Sequence, residues 1–290
     1  MSDIKEIRNK ISCIKNTKKI TKAMEMVSIS KMKKAENRMN FGRPYLNTIQ
    51  IIINNMIGNN ANYQHIYLEN KEVKKIGIIV ISTDRGLCGS LNTILFKKIT
   101  KFILSYKDKN IISYLFILGL KGLLSFQSFS KNIIYHKSNL KYDYTFLNCL
   151  NVIDDLLKKY HESKLDGLFL SYNQFKNTFI QTPQIIKLLP LLKNNLNMQD
   201  NKNWDYIYES NSQSLLNVLL KNYIEFQIYQ AILENYACEQ VARMIAMKQA
   251  TDNSKNLIKE LQIIYNKARQ DSITQELTEI VSGAAAVPLN

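Results

Sequence analysis

The chain has 290 residues, 46% of them apolar, four cysteines and a formal net charge of +15. That length builds one large domain or two smaller ones. The cysteines, far apart and without a CxxC pair, fit a reducing compartment and speak against a zinc site or disulfide framework, and they read as small buried hydrophobes. No stretch approaches the roughly 18 apolar residues of a spanning helix, and MSDIKEIRNK lacks the apolar core of a signal peptide, so the mature protein is expected to start at or near Met1. The excess charge fits nucleic acid, anionic lipid or an acidic protein partner.

Eight of nine glycines and three of four prolines fall between Gly42 and Pro190, leaving two Gly/Pro-free arms around an ordinary middle. In the first arm Ile4, Ile7, Ile11 and Ile14 recur at coiled-coil spacing. The register then slips at Asn16 to Lys19, and Ile20, Met24 and Val27 resume on a shifted face. Pro44 is expected to kink or interrupt this helix near its far end.

The middle alternates strand-like and helix-like segments. IGIIVIS, IISYLFIL and GLFLSY are continuous apolar runs, as in strands covered on both faces, and the stretches after Ser90 and Asp143 read as helices. A small α/β layer with a mostly parallel sheet follows. NTFIQTPQIIKLLPLL contains Pro183 and Pro190 and suits an edge strand or an extended connection.

Between the first run and the helix after Ser90 lies the turn STDRGLCGSLN. Gly86 and Gly89 match the second and third glycines of a dinucleotide fingerprint, but its first position is Asp84. A carboxylate there repels a pyrophosphate, and its side chain is free to cap the helix that follows. With no G-x-x-x-x-G-K-[ST] anywhere, the glycines read as serving a tight turn and close helix–sheet packing. His65, His136 and His161 stand apart, without H-E-x-x-H or G-x-S-x-G, and Asp154 and Asp155 point to different helix faces as solvated groups.

In the last arm, alternating steps of four and three from Leu219 to Ala268 visit fifteen positions, eleven of them apolar; the exceptions are Gln230, Gln240, Thr251 and Ser254. That is a coiled-coil seam with polar interruptions. Helices from about Ser2 to Ile57 and Ser210 to Val287 would span roughly 80 and 115 Å. Paired antiparallel, they place Met1 near residue 265, and the last two dozen residues overhang. Ile273, Leu277, Ile280 and Val281 then have nothing in the chain to pack on, so another chain must cover them for ordering to be favourable.

NTKKITKAMEMVSISKMKKAENRM (Asn16 to Met39), RPY (Arg43 to Tyr45), STDRGLCGSLN (Ser82 to Asn92) and the stretch from ARMIAMKQATDN to EIVSGAAAV (Ala242 to Val287) resemble the γ subunits of F-type ATP synthases. The likeness covers both arms nearly end to end and the glycine turn. PLN continues past GAAAV, and the cysteine pair inserted in the chloroplast form is absent, so the resemblance is to the bacterial type. It implies a long antiparallel two-helix coiled coil from arms 1–57 and 210–287, plus a central Rossmann-like α/β domain, 73–192, without a nucleotide site.

The function it implies is that of the central rotor shaft, coupling proton-driven rotation of the c-subunit ring to conformational change at the β-subunit catalytic sites. The shaft is itself non-catalytic and needs no cofactor. The implied partners are three α and three β subunits, the ε subunit and the c ring, at the bacterial inner membrane as a peripheral protein on the cytoplasmic side. The resemblance places Lys22 and Met24 near acidic β-subunit loops, with Arg243 across the helix pair from them. It sets Arg269, Gln270 and Thr274 against a β-subunit loop, and Tyr206, Tyr208 and Glu209 against the c ring. Residues 1–45 carry twelve basic against four acidic side chains, in keeping with acidic neighbours. Two other readings stand beside this one: a nucleotide-binding enzyme on the α/β domain, and a basic coiled coil that binds nucleic acid with steep salt dependence.

Overall fold

The computed structural model describes residues 2–59, 67, 72–138, 146–162, 165–191 and 212–286. The chain divides into two compact units, Met1–Ile29 with Arg243–Asn290, and Ser30–Ala242. Two long helices, α1 (Ser2–Asn59) and α5 (Ser212–Ala286), each contribute to both units.

Within the second unit, β1 (Lys75–Ile81), α2 (Leu91–Lys107), β2 (Ile112–Leu118), α3 (Leu120–Ser125), β3 (Ile133–Lys137), α4 (Phe146–Glu162), β4 (Gly167–Phe175) and β5 (Gln181–Leu189) follow in order. The sheet order is β3-β2-β1-β4-β5, parallel except for the antiparallel β4–β5 hairpin. All three apolar runs of the sequence are strands, and β1 is buried almost throughout because α2 and α4 cover opposite faces. On the α2 face Ile76, Ile78 and Val80 meet Leu95, Ile99 and Ile103. On the other face Ile79, Phe116, Leu168 and Leu170 pack with Ile153 and Leu156 of α4 and with Ile224, Ile228 and Ile232 of α5.

β3, read from IIYHK, was not anticipated. It is five residues long and only half-buried, so it lacks the apolar run that marks its neighbours. The stretch with the two prolines forms the edge strand β5. Pro183 pairs opposite Asn173 of β4, and its carbonyl accepts a 2.6 Å hydrogen bond from Lys98 Nζ of α2.

Pro44 does not interrupt α1, which is helical on both sides of it. Tertiary packing carries the helix past the lost amide: the Tyr45 ring lies 4.4 Å from that of Phe226 of α5, and Gln230 Nε2 donates to the Met39 carbonyl at 3.3 Å.

Candidate functional site

The first unit is a helix pair whose seam differs from the one expected. On α1 the covered positions are 4, 7, 11, 14, 18, 21, 24, 25 and 28; apart from Met24 they form a continuous alternation of three and four. There is no slip at Asn16 to Lys19. The seam runs straight on through Lys18, Thr21, Glu25 and Ser28, while Ile20 and Val27 are left 60% and 54% exposed. Helical geometry fixes which residues face inward, so apolarity marks the wrong side here.

The facing seam of α5 includes Met247, Thr251, Ser254 and Ile258, and continues at 261, 265, 268 and 272. Thr21 Oγ1 and Thr251 Oγ1 lie 2.8 Å apart across the pair. Each hydroxyl also has a backbone acceptor one turn back, the Lys18 carbonyl at 3.1 Å and the Met247 carbonyl at 2.8 Å. Ser254 Oγ donates to the Ala250 carbonyl at 2.7 Å. Buried Glu25 accepts from Lys22 Nζ, both oxygens at 3.1 Å.

Antiparallel pairing through Thr21 and Thr251 brings Ile4 level with Ala268 and Ile7 level with Tyr265, further along α5 than helix lengths alone suggested. No described α1 residue lies opposite Ile273, Leu277, Ile280 and Val281, which are 48%, 57%, 67% and 65% exposed. The expected overhang is present, and it exposes these four apolar side chains.

The same register brings Arg243 level with Ile29, roughly 8 Å along the pair from Met24. Arg243 is buried, Lys22 is exposed and Met24 is partly covered. Arg269, Gln270 and Thr274 are all exposed, with Gln270 and Thr274 one turn apart on the overhanging helix. Tyr206, Tyr208 and Glu209 lie outside the described residues.

In the second unit α5 buries polar groups against α1 and the sheet. Glu234 is 7% exposed; its Oε1 lies 3.7 Å from Arg43 Nη2. Burial raises its pKa, against the opposing pull of Arg43. Asn235 Oδ1 accepts from Asn173 Nδ2 of β4 at 2.9 Å, and Cys238 Sγ donates to the Asn173 carbonyl at 3.3 Å. These bonds fix the turn of α5 that crosses the sheet.

The glycine turn also departs from expectation. Asp84 caps α3, accepting from Leu120 N at 3.0 Å, and not α2, whose N-cap Ser90 makes no side-chain capping bond. Gly89 has φ +58 and open space around it, so it serves the turn; Gly86 has only the Lys121 side chain near, at 3.7 Å. Close packing belongs instead to Gly119 and Gly122, which sit directly on Ser82. Ser82 Oγ donates to the Leu118 carbonyl and accepts from Gly122 N, both at 2.9 Å. These contacts join residues 36 and 40 positions apart, a separation at which local sequence carries no signal.

Among the described residues no group of His, Cys, Asp and Glu is placed to hold a metal ion, and no helix is long and apolar enough to cross a membrane. His161 Nε2 sits 3.2 Å from Tyr67 Oη, and Asp154 pairs with Lys221 at 3.5 Å instead of standing free in solvent. Cys88, Cys149 and Cys238 are buried as expected, but Cys13 is exposed.

The model of the family described as ATP synthase matches residues 3–287. Two relatives, the ATP synthase gamma chains of Buchnera aphidicola subsp. Melaphis rhois and subsp. Schlechtendalia chinensis, are 68% and 61% identical over 290 and 289 residues, each pair covered over 100% of both chains. A chain of the Tetrahymena thermophila mitochondrial ATP synthase central stalk/c-ring structure matches with TM-score 0.62 and 25% identity, over 80% of this chain and 99% of that one. A chain of the Euglena gracilis mitochondrial ATP synthase OSCP/F1/c-ring structure shares the fold, with TM-score 0.65 and 19% identity over 100% of this chain and 98% of that one. With the helix pair, the α/β sheet and these full-length likenesses together, the chain belongs to the ATP synthase family.

Proposed function

We infer that this chain is the central rotor shaft of an F-type ATP synthase, a non-catalytic subunit working at catalytic sites that lie in the β subunits. The observation that carries this is the 68% identity, end to end, with an ATP synthase gamma chain. Its partners are the α and β subunits, the ε subunit and the c ring. Neither the nucleotide-binding enzyme nor the nucleic-acid-binding coiled coil finds support among the relatives.

Rotation of the c ring, driven by proton flow, turns the shaft, and the shaft biases each β subunit in turn. A symmetric axle would favour no site over another. This one presents unequal faces: exposed Ile263, Ile264 and Ile273 lie among basic and acidic turns of α5. Driving a two-state site from 1:99 to 99:1 takes about 5.5 kcal/mol of differential contact, which a few charge-assisted hydrogen bonds and their packing supply.

Arms 1–57 and 210–287 act as one antiparallel shaft, and the α/β domain, 73–192, is its foot. Lys22, Met24 and Arg243 meet the loops at the base of the β subunits, and Arg269, Gln270 and Thr274 bind a β-subunit loop nearer the tip. Tyr206, Tyr208 and Glu209 face the c ring. The motif matches support these roles, as does the exposure of Lys22, Arg269, Gln270 and Thr274. The subunit is peripheral, held to the cytoplasmic side of a bacterial inner membrane through the c ring.

The test is reconstitution with α and β subunits and observation of single-molecule rotation. A chain ending at Ala268 is expected to rotate with reduced torque, and Gln270→Leu to slow ATP-driven stepping. ATP turnover and coupling that proceed undiminished without the chain would overturn the reading.

A further inference from the structure

A second stripe runs along the carboxyl-terminal part of α5. Ile263, Asn266, Gln270, Ile273, Leu277 and Ile280 follow one another in alternating steps of three and four, the spacing of a coiled-coil seam. All six are exposed, the four apolar ones by 70%, 48%, 57% and 67%. At about 100° of turn per residue, this stripe lies on the opposite side of α5 from positions 261, 265, 268 and 272, the seam that α1 uses. A face with seam spacing buries its apolar positions only when another helix lies against it.

The stripe is complementary to itself. Turned end for end, it lays Ile263 on Ile280, Asn266 on Leu277 and Gln270 on Ile273, so that every position meets one of the alternate kind, as in antiparallel helix pairs. Charge is divided along the same axis. Between 255 and 269 the helix carries Lys255, Lys259, Lys267 and Arg269 against Glu260 alone; between 271 and 286 it carries Asp271, Glu276 and Glu279 and no basic residue. An antiparallel copy lays the basic half on the acidic half and brings Arg269 of each chain beside Glu276 of the other, whereas a parallel copy sets like charges together. Glu276 accepts from Ser272 Oγ at 3.4 Å, which leaves its carboxylate room for a further donor.

We propose that the unassembled chain pairs with a second copy of itself through this face of α5, antiparallel, with Gln270 and Ile273 at the centre. The overlap from Ile263 to Ile280 spans about 27 Å. It buries less than the roughly 1,600 Å² of a standard interface, so the dimer dissociates at about 10–100 µM, and the chain is monomeric at the lower concentrations used to follow unfolding. The pairing does not rest on the rotor reading. Under that reading Gln270 meets a β-subunit loop, so the completed assembly and a second copy compete for one face, and the dimer is a state of the free chain only.

Sedimentation equilibrium of the full chain, from about 1 to 300 µM at low salt, is expected to show a monomer–dimer equilibrium in that range. Leu277→Asp should weaken it by at least about tenfold, because the charge falls in the apolar seam. Arg269→Glu and Glu276→Arg should each weaken it by about tenfold, since either one turns two attractions into two repulsions, and the two together should restore it to within about threefold of the wild type. All three positions are exposed, and circular dichroism checks that each variant keeps its helices. A chain that stays monomeric to the highest concentration leaves this face to other subunits and overturns the proposal. Dimers that survive Leu277→Asp overturn it as well, because the contact then lies elsewhere on the chain. So does a double charge swap no tighter than either single one, which excludes the antiparallel pairing.

Discussion

Thr21 and Thr251 meet hydroxyl to hydroxyl, 2.8 Å apart, in the seam of the helix pair. Both also bond to backbone carbonyls of their own helices, so neither depends wholly on the other. Replacing one by valine leaves the other hydroxyl a partner and should cost no more than about 1 kcal/mol; replacing both should be neutral or stabilising, since two matched apolar groups remove the desolvation of two polar ones. Thermal unfolding of the two single variants and the double variant checks this. A double variant destabilised by well over about 1 kcal/mol would mean that the hydroxyl pair braces the seam.

Glu234 makes stability depend on pH in an unusual direction. Burial, only partly offset by Arg43, raises its pKa in the folded chain, so the native state holds this proton to higher pH than the unfolded chain does. Its contribution is therefore fully present below the unfolded glutamate pKa and declines as pH rises through the folded value. Tyr172 and Cys238 also face this carboxylate. Glu234→Gln should gain stability over the wild type at neutral pH and lose that advantage at pH 4, as read from urea unfolding midpoints.

Thiol chemistry should single out one cysteine. Cys13 is exposed, whereas burial pushes the Cys149 thiol up to about 11 and raises that of Cys238 as well; Cys88 is buried beside Asn92 Nδ2, 3.5 Å from its sulfur. Since the thiolate is the reactive form, an aromatic disulfide reagent at neutral pH should titrate one thiol per native chain and four after denaturation. Cys13→Ser should abolish the native reaction.

Two glycines should respond oppositely to alanine. A Cβ on Gly122 would come within 2.6 Å of Ser82 Oγ and 3.0 Å of Ile117 Cγ2, disturbing a serine bonded on both sides. About 1–3 kcal/mol of destabilisation is expected. Gly86, where the nearest atom to an added Cβ would be the flexible Lys121 side chain 3.7 Å away, should tolerate alanine within about 0.5 kcal/mol. Chemical denaturation of the two variants distinguishes a packing glycine from a turn glycine.

Removal of residues 275–290 should leave the unfolding midpoint of the isolated chain unchanged, because Leu277, Ile280 and Val281 are mostly exposed and contribute little burial to lose. A substantial fall in the midpoint would reveal intrachain cover for the tip.

Much of this fold could be read from the chain. IGIIVIS and GLFLSY declared themselves as strands because both faces are covered, and the missing glycines and prolines marked both long helices. β3 escaped because a half-buried edge strand of five residues has no apolar run. The α1 seam was misread because Ile20 and Val27 are apolar yet turned outward, while Thr21, Glu25 and Ser28 take the inward positions; spacing, continued without regard to polarity from Ile14, would have found it. Asp84 was recognised as a capping residue but given to the wrong helix, since its partner Leu120 lies 36 residues on. For the candidate contact residues, motifs supplied the identities and the helix register supplies the exposures.

Pro183 on the outermost strand has no N–H to offer, and Lys98 already occupies its carbonyl. That margin of the sheet is thus blunted near the strand's amino end, discouraging a passing strand from another copy from docking there and extending the ladder. For a subunit that must be made and held before its assembly is complete, such a guard against edge-on self-association matters most while the apolar tip is still bare.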